Sequence, residues 1–291
     1  MRKLEPRALL SKLPERVYLK SVDPYSLSKT LTCGQFFRYE MIGYGEEDGF
    51  IVQAMDKVCA ARQVGSRELE LALLSDGVDD STRWWSNFFN LEQPTGATVT
   101  KMEQTNPWLK KAARSADGIH ILRQDPWEAL ITFLISQNNN MVRIRSTVKL
   151  LSEKLGVWNP IGFHAFPEPE AILYGELEGL GLGYRLGYLQ RAAHQVVNGT
   201  IDLAQLKAPG CPLDRALSRL QTMSGIGHKV ANCVALYGLG HSNAFPVDVW
   251  ITRALAKAGF TARDAKEQWP DAGLLQQYMF YYITHDGGAL N

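Results

Sequence analysis

The chain has 291 residues, of which 45% are hydrophobic and 21% are charged. This composition excludes an intrinsically disordered or fibrous protein and provides enough apolar side chains for a sizeable core. Lysine and arginine number 31 against 30 acidic residues, so the net charge of +1 provides no general basic field that would attract a polyanion.

The first third of the chain has the composition of β-strands. One strand is predicted over residues 34–42, followed by a turn at 45–49. Two further strands, 50–55 and 58–63, are separated only by Asp56-Lys57, which predicts a hairpin. Together these segments predict an antiparallel sheet.

From about residue 105 the apolar spacing becomes that of helices. Asp125, Pro126 and Glu128 form a helix start with a capping residue, a first-turn proline and a glutamate three residues after the cap. Apolar side chains then repeat at helical spacing and form one stripe, which comprises Trp127, Leu130, Ile131, Leu134 and Ile135. The polar run 136–140 is predicted to end this helix.

The same spacing predicts further helices. One contains the aromatic cluster at 84–89, a second ends at Gly156, a third ends at Asn198-Gly199, and a fourth begins at Pro212. The predicted fold class is therefore α+β. We expect two domains, an N-terminal antiparallel sheet domain over 1–112 and a mostly helical domain over 113–291.

The cysteines and the N-terminus bear on compartment and cofactors. Cys33, Cys59, Cys211 and Cys233 lie far apart without a C-x-x-C pair, so free thiols are expected, with no cysteine-based zinc site or iron–sulfur cluster. No cofactor is predicted. The first residues lack the apolar stretch of a secretory signal, which favours a reducing cytoplasm. No apolar run approaches the ~18 residues that would span a bilayer, so no membrane association is expected.

Gly225 and Gly227 lie at the junction of two predicted helices. Glycines at this spacing permit a tight hairpin with positive φ angles. The backbone N–H groups at the start of the following helix then lack partners and form an anion site that needs no charged side chain. A chain of net charge +1 could therefore hold a DNA backbone locally.

The hairpin segment 225–231 (GIGHKVA), followed further along by Pro246-Val247-Asp248, resembles the helix-hairpin-helix DNA glycosylase superfamily. Within that superfamily, residues 33–39, 136–143 and 180–185 resemble motifs of the 8-oxoguanine DNA glycosylases, and all occur in family order. The resemblance implies a helix-hairpin-helix motif in the helical domain. It also implies an enzyme that flips out and excises 8-oxoguanine from duplex DNA.

The resemblance assigns the catalytic roles to two residues. Lys229 corresponds to a nucleophile that attacks C1′ of deoxyribose and holds the sugar as a Schiff base, which also implies cleavage of the abasic strand by β-elimination. Asp248 corresponds to the catalytic aspartate, whose charge would stabilise a cationic sugar. From the residues alone, Lys229 could be a solvated lysine and Asp248 only the cap of helix 249–257.

Four residues are candidates for binding the flipped base. A backbone carbonyl at Gly34 would accept a hydrogen bond from N7–H of 8-oxoguanine and repel N7 of guanine. Cys233 lies at i+4 from Lys229, and Gln276 lies at i−4 from Phe280, so a thiol, an amide and a ring could surround the base. Without the resemblance, core packing is the simpler role for Cys233 and Phe280.

The resemblance also assigns contacts to the rest of the duplex. Asn138 would fill the vacated space, Tyr184 would wedge the base step, and Arg143 and Arg185 would bind the opposite cytosine. Alternatively, the asparagine run only ends a helix and the arginines bind phosphates. The resemblance assigns phosphate binding to three residues of the hairpin, namely Gly225, Gly227 and Val230.

Two positions depart from the family pattern. Phe36 stands where a small residue is common, and Trp250 stands where several relatives have a histidine that contacts phosphate. The prediction is a metal-free DNA glycosylase and abasic-site lyase, expected to be a monomer in the bacterial nucleoid or, in a eukaryote, the nucleus. Its partner would be double-stranded DNA containing oxidised guanine. The alternatives are a glycosylase of the same fold for other damaged bases and a non-catalytic DNA-binding module.

Overall fold

The computed structural model describes residues 16–44, 47–74, 78–159 and 161–286. The N-terminal part contains five strands: β1 (Arg16–Lys20), β2 (Tyr39–Tyr44), β3 (Glu47–Ala54), β4 (Lys57–Gly65) and β5 (Glu68–Leu73). They form one antiparallel sheet with the order β1-β5-β4-β3-β2, so β1 and β2 are its edge strands. The predicted sheet is confirmed.

The strand predicted over 34–42 is wrong in its first half, because β2 begins only at Tyr39. Gly34 has a φ of +89°, and the buried Gln35 side chain bonds to surrounding backbone instead of alternating out of a sheet. The turn expected at 45–49 is shorter, because Gly49 already belongs to β3 and pairs with Ile42 of β2. Residues 45 and 46 lie outside the described residues.

The hairpin between β3 and β4 is confirmed, with its turn one residue earlier than predicted. Ala54 pairs with Lys57, so Met55 and Asp56 form the two-residue loop. Met55 accordingly adopts a φ of +49°.

The remainder of the described chain is mostly helical, in agreement with the α+β prediction. Short segments flank or follow the sheet: α1 (Leu27–Thr32), α2 (Val78–Phe89), α3 (Gly96–Thr105) and α4 (Pro107–Ser115). The central helices are α5 (Pro126–Ser136), α6 (Met141–Leu155), α7 (Pro169–Tyr174), α8 (Arg185–Val197) and α9 (Leu203–Lys207). The last are α10 (Leu213–Leu220), α11 (His228–Cys233) with a π-helical turn (Val234–Gly238), α12 (Val249–Ala258), α13 (Ala262–Gln268) and α14 (Ala272–His285).

Helix α5 is the centre of the helical part. Asp125 caps it as predicted, accepting hydrogen bonds from the N–H groups of Trp127 and Glu128. The prediction of a single apolar stripe is wrong, because every residue from Pro126 to Ile135 is buried. Other helices cover the face that a surface helix would expose to water.

The segment that precedes β2 lies between the two apolar cores. Phe36 and Tyr39 pack into the core of the sheet, whereas Cys33 and Phe37 pack into the core of the helices. The buried Arg38 guanidinium pairs with Glu128 of α5 at 3.4 Å, while burial raises the pKa of Glu128. Segment 33–39 is thereby fixed against both parts of the fold, while the domain boundary at 112/113 stays a prediction.

Within the described ranges, no helix is both long enough and apolar enough to cross a membrane.

Candidate active site

The hairpin between α10 and α11 has the predicted form at only one of its two glycines. Gly225 has a φ of +86°, and a Cβ there would approach the Tyr188 ring to 2.4 Å, so both conformation and space demand glycine. Gly227 has a φ of −85°, so the expectation of positive φ at this position is wrong. It has no side chain to cap α11, which leaves N–H groups at the helix start without a side-chain acceptor. The Val230 side chain is buried, so only its backbone could meet a ligand.

The charges of Lys229 and Asp248 both act on the buried Cys233 side chain. The Cys233 thiol is 3% exposed, and burial raises its pKa; the positive charge of Lys229 opposes that shift and the negative charge of Asp248 adds to it. Both charged groups therefore lie near the thiol. The raised pKa favours the neutral, weakly polar thiol of Cys233.

The Lys229 amine lies over an aromatic surface. Its Nζ is 5.7 Å from the centre of the Phe133 ring, which belongs to α5. Phe133 stacks on Tyr237 and meets Phe37 edge-on. The apolar rings on one side of the amine limit its contact with water.

Asp248 is positioned by two sets of hydrogen bonds. Its Oδ1 accepts from the N–H groups of Trp250 and Ile251, so the carboxylate caps α12. The fully buried Asn232 connects α11 to the segment before Asp248, accepting from the N–H of Phe245 at 3.0 Å. Its Nδ2 donates to the carbonyl of His228 at 2.9 Å.

Asn232 is a functional candidate that the sequence analysis missed. Its hydrogen bond to Phe245 joins α11, the helix that contains Lys229, to the segment that leads to Asp248. A polar residue between Ala231 and Cys233, on an otherwise apolar helix face, was the available signal.

Gly34 lies against Phe280 of α14, since a Cβ built on Gly34 would be 3.5 Å from the ring. Buried glutamine side chains donate hydrogen bonds to the backbone carbonyls on both sides of Gly34. Gln277 donates to the carbonyl of Cys33 at 3.0 Å, and Gln124 donates to that of Gln35 at 2.6 Å. Among the described residues, no group donates to the Gly34 carbonyl, which leaves it available to a ligand.

Gln276 and Gln277 are adjacent on α14 but differ in their partners. The Gln277 Oε1 accepts from the Tyr237 hydroxyl at 2.6 Å, so its amide is used in the fold. The Gln276 Oε1 is buried and has no hydrogen-bond partner in the described part of the chain. Leaving such an atom unpaired costs about 1–3 kcal/mol, as expected for a group that waits for a ligand. Gln277, which the sequence analysis missed, shares its residue type with Gln276 and gave no separate signal.

We refer to Gly34, Lys229, Cys233, Asp248, Gln276 and Phe280 as the pocket cluster. A second group of side chains, the loop cluster, follows the C-terminus of α5 and comprises Asn138, Arg143, Tyr184 and Arg185. Asn138 is exposed, has a φ of +46° and donates to the Tyr184 hydroxyl at 3.2 Å. Tyr184 is 52% exposed, so both side chains are open to a large ligand.

The two arginines of the loop cluster have different environments. Arg143 is exposed and donates to the carbonyl of Gly181 at 3.2 Å. Arg185 is buried, and its guanidinium donates to the carbonyls of Gln137, Asn138 and Leu182. Arg185 therefore shapes the asparagine loop in this structure and has little hydrogen-bonding capacity left for a base.

Helix α5 connects the two clusters. Phe133 near its end lies against the Lys229 amine, and the asparagine loop begins directly after its last residue, Ser136.

Trp250, on α12, carries the Arg253 guanidinium 5.1 Å from its ring centre. Within the described ranges, no group of three or more histidine, cysteine, aspartate or glutamate side chains could hold a metal ion.

A helix-hairpin-helix next to a lysine–aspartate pair, preceded by an antiparallel sheet, places the chain in the helix-hairpin-helix DNA glycosylase superfamily. Residues 17–130 match the model of the N-terminal domain of 8-oxoguanine DNA glycosylase. The chain belongs to the 8-oxoguanine DNA glycosylase family of that superfamily.

Relatives of known name agree with this assignment. The chain is 31% identical to the N-glycosylase/DNA lyase OGG1 of Arabidopsis thaliana over 77% of its own length and 64% of the relative's. It is 33% identical to the N-glycosylase/DNA lyase of Saccharomyces cerevisiae over 51% of its length and 45% of the relative's. The chain thus spans less than two thirds of these proteins.

The similarity to a solved structure covers more. The Clostridium acetobutylicum 8-oxoguanine glycosylase/lyase, crystallised with double-stranded DNA containing cytosine opposite 8-oxoG, superposes with a TM-score of 0.83. The two chains are 26% identical, and the match covers 94% of this chain and 99% of the other.

Proposed function

We propose that this protein is a bifunctional DNA glycosylase that excises 8-oxoguanine from duplex DNA and cleaves the resulting abasic strand. The observation that carries the proposal is geometric: α11, which carries Lys229 and Cys233, is joined through the buried Asn232 to the segment that leads to Asp248. The location of Gly34 against Phe280 adds a surface for the base. Relatives named as N-glycosylase/DNA lyases support the same reaction class.

The Lys229 amine, once neutral, attacks C1′ of the flipped nucleotide, and the bond from C1′ to the base breaks with its electron pair leaving on the base. The Asp248 carboxylate stabilises the positive charge that develops on the sugar. The amine and C1′ then form a Schiff base with an opened sugar. Loss of a C2′ proton expels the 3′ phosphate, which cleaves the strand by β-elimination.

The pocket cluster accounts for recognition of the base. The unoccupied carbonyl of Gly34 accepts a hydrogen bond from N7–H of 8-oxoguanine. It repels guanine, whose N7 is also an acceptor. The unpaired Oε1 of Gln276 accepts from the edge of the base, while Phe280 and the neutral Cys233 cover its faces.

The loop cluster acts on the duplex that remains. Asn138 enters the space that the flipped base leaves, Tyr184 wedges the adjacent step, and Arg143 binds the opposite cytosine. Arg185 contributes by holding the Asn138 loop. The hairpin backbone at Gly225, Gly227 and Val230 binds a phosphate.

Incision of duplexes containing 8-oxoguanine opposite each of the four bases tests the proposal directly. We expect cleavage of the lesion strand, fastest opposite cytosine, and a borohydride-trapped adduct between protein and DNA. Lys229→Gln should abolish the adduct while still binding the lesion duplex, and Lys266→Gln, an exposed lysine on α13, serves as the control.

The same panel separates the alternatives. Excision of alkylated or oxidised pyrimidine bases without activity on 8-oxoguanine would reassign the substrate within the superfamily. Binding to DNA without cleavage of any lesion strand would indicate a non-catalytic module and end the proposal.

A further inference from the structure

Arg145 of α6 makes a contact that the proposed chemistry does not use. Its guanidinium donates to the backbone carbonyl of Tyr39 and lies over the Tyr39 ring, with Cζ 4.0 Å from the ring centre. Tyr39 is 6% exposed and is the first residue of β2. One side chain thus connects the helical part of the fold to the first residue of an edge strand.

The geometry of the sheet explains why this carbonyl is available. The carbonyl of Arg38 accepts from the N–H of Gln53 at 2.9 Å, so it faces β3. Successive carbonyls alternate sides along a strand, and therefore the Tyr39 carbonyl points to the open edge of the sheet. A guanidinium, which is planar and has directional donors, can satisfy this carbonyl and stack on the ring at once.

The two ends of this contact lead to the two clusters of the site. Tyr39 is the last residue of the segment that begins with Cys33 and Gly34. Four residues lie between Gly34 and Tyr39. Arg145 lies in the first turns of α6, directly after the asparagine loop that contains Asn138 and the helix cap Asn140. Arg145 therefore joins the residue that ends the Gly34 segment to the helix that begins directly after the Asn138 loop.

We infer that Arg145 is a positioning residue that fixes the Gly34 segment relative to the Asn138 loop, and thereby sets discrimination between 8-oxoguanine and guanine. The inference rests on the proposed function. Selecting a base through one carbonyl requires that carbonyl to be placed within about 0.5 Å of its productive position. Flipping the base and filling the space behind it belong to one bound state, so the two segments must keep a common geometry.

Lys149 provides a matched control. It lies one helical turn beyond Arg145 on α6 and pairs with Glu40, the residue after Tyr39, at 2.9 Å. Both of these side chains are largely exposed, and a pair of this kind contributes little to stability. Substitution of Lys149 therefore breaks a contact between the same helix and strand without touching Tyr39.

The test uses Arg145→Met, Arg145→Lys and Lys149→Met in the full chain, each with and without Lys229→Gln. In the Lys229→Gln background, dissociation constants are measured for duplexes with 8-oxoguanine or guanine opposite cytosine. Single-turnover excision rates and melting temperatures are measured in the active background. We expect Arg145→Met to lower the lesion-to-guanine affinity ratio about tenfold, as expected for one misdirected buried hydrogen bond.

Arg145→Lys separates positioning from stability. The Nε of Arg145 is buried without a hydrogen-bond partner in the described part of the chain, and lysine lacks this group. Melting temperature should therefore be kept, while the affinity ratio falls to a value between wild type and Arg145→Met because the planar, stacked donor is lost. Lys149→Met should leave the ratio unchanged.

The outcomes distinguish this inference from the proposed function. Wild-type protein that does not excise 8-oxoguanine would overturn the proposed function itself. Wild-type activity together with an unchanged affinity ratio in Arg145→Met, whatever its melting temperature, would overturn the positioning role alone. An equal loss of the ratio in Lys149→Met would also overturn it, since the effect would then belong to the whole contact between α6 and β2.

Discussion

The pocket cluster and the loop cluster are built in different ways. In the pocket cluster, Cys233 and Gln276 are 3% and 4% exposed, and buried amides of the fold fix the backbone on both sides of Gly34. In the loop cluster, Tyr184 is 52% exposed, and its hydroxyl accepts a hydrogen bond from the exposed Asn138 and donates one to the carbonyl of Gln137. The pocket cluster is preorganised. In the loop cluster, only Arg185 is buried, and the exposed side chains of Asn138, Arg143 and Tyr184 can still move when a duplex binds.

This difference has a chemical reason. Stabilising a developing charge at C1′ requires groups that do not need to reorganise during the reaction. Filling a gap in a base stack requires side chains that tolerate both the free and the bound state. Substitutions in the pocket cluster should therefore change rates strongly, and substitutions in the loop cluster should change them weakly.

Asp248→Asn should have the largest effect after removal of the Lys229 amine. Asparagine caps a helix as well as aspartate does, so α12 should remain capped and the melting temperature should stay close to wild type. The negative charge is lost, and we expect single-turnover excision to slow by about 10²–10³-fold. Asp264→Asn, which changes the carboxylate in the first turn of α13, is the control and should retain full rate. An Asp248→Asn rate within twofold of wild type would contradict an electrostatic role.

Asn232→Leu should have the next largest effect, through both stability and rate. Leucine has a similar volume but leaves the buried Phe245 N–H without its present partner, at a cost of about 1–3 kcal/mol, and it also removes the hydrogen bond to the His228 carbonyl. We expect a lower melting temperature and an excision rate reduced about tenfold or more, because the turns of Lys229 and Asp248 are no longer joined.

Asn232→Asp tests whether the rate loss comes from the joint itself. A carboxylate still accepts from the Phe245 N–H, so the rate should recover further than the melting temperature does. Equal rates for Asn232→Leu and wild type would show that Lys229 and Asp248 keep their geometry without this side chain.

Gly34→Ala should affect discrimination more than stability. A Cβ would be 3.5 Å from Phe280, an ordinary contact, so steric exclusion is not the problem. The obstacle is the φ of +89°, at which an L-residue is strained by about 1–3 kcal/mol. Alanine would relax this strain by turning the peptide and its carbonyl.

We expect the preference of Gly34→Ala for 8-oxoguanine over guanine to fall about tenfold, measured as a ratio of dissociation constants. Gly199→Ala is the matched control, since Gly199 has a φ of +74° and open space around it at the end of α8. It should lose similar stability and keep its discrimination. An unchanged preference in Gly34→Ala would remove the carbonyl from lesion recognition.

Sequence patterns predicted the elements of the fold well where local signals were strong. The cap at Asp125, the end of α6 at Gly156 and the cap at Asp248 all lie where expected, because each depends on neighbouring residues. The path of 34–38 was predicted as strand and is not, since the fold buries the Gln35 side chain among backbone groups far along the chain. No local pattern contains that information.

The candidate site shows the same limit. Motif likeness pointed to the residues of both clusters, and in the structure a hydrogen bond joins the helix of Lys229 and Cys233 to the segment before Asp248. It could not identify Asn232 or Arg145, which act by joining segments distant in sequence. It assigned one role to Arg143 and Arg185, which stays a prediction, and it could not indicate that Arg143 is exposed while Arg185 is buried against the asparagine loop.

Asn138→Gly, in the loop cluster, should have the smallest effect on the excision rate. Glycine accepts the φ of +46° that Asn138 adopts, so the loop backbone should keep its course and the hydrogen bonds from Arg185 to it. The amide that would enter the vacated space is lost. We expect single-turnover excision to slow by less than about tenfold, because the chemistry at C1′ is untouched and only the flipped state is less populated.

Asn138→Ala separates the amide from the backbone. Alanine lacks the amide and also disfavours positive φ, so any further loss relative to Asn138→Gly measures the conformation of the loop. Rates measured opposite each of the four bases should converge in Asn138→Ala more than in Asn138→Gly, since a loosened loop no longer presents Arg143 in a fixed position. A loss in Asn138→Gly as large as that in Asp248→Asn would mean that the loop cluster is as preorganised as the pocket cluster, and that the contrast between them does not govern catalysis.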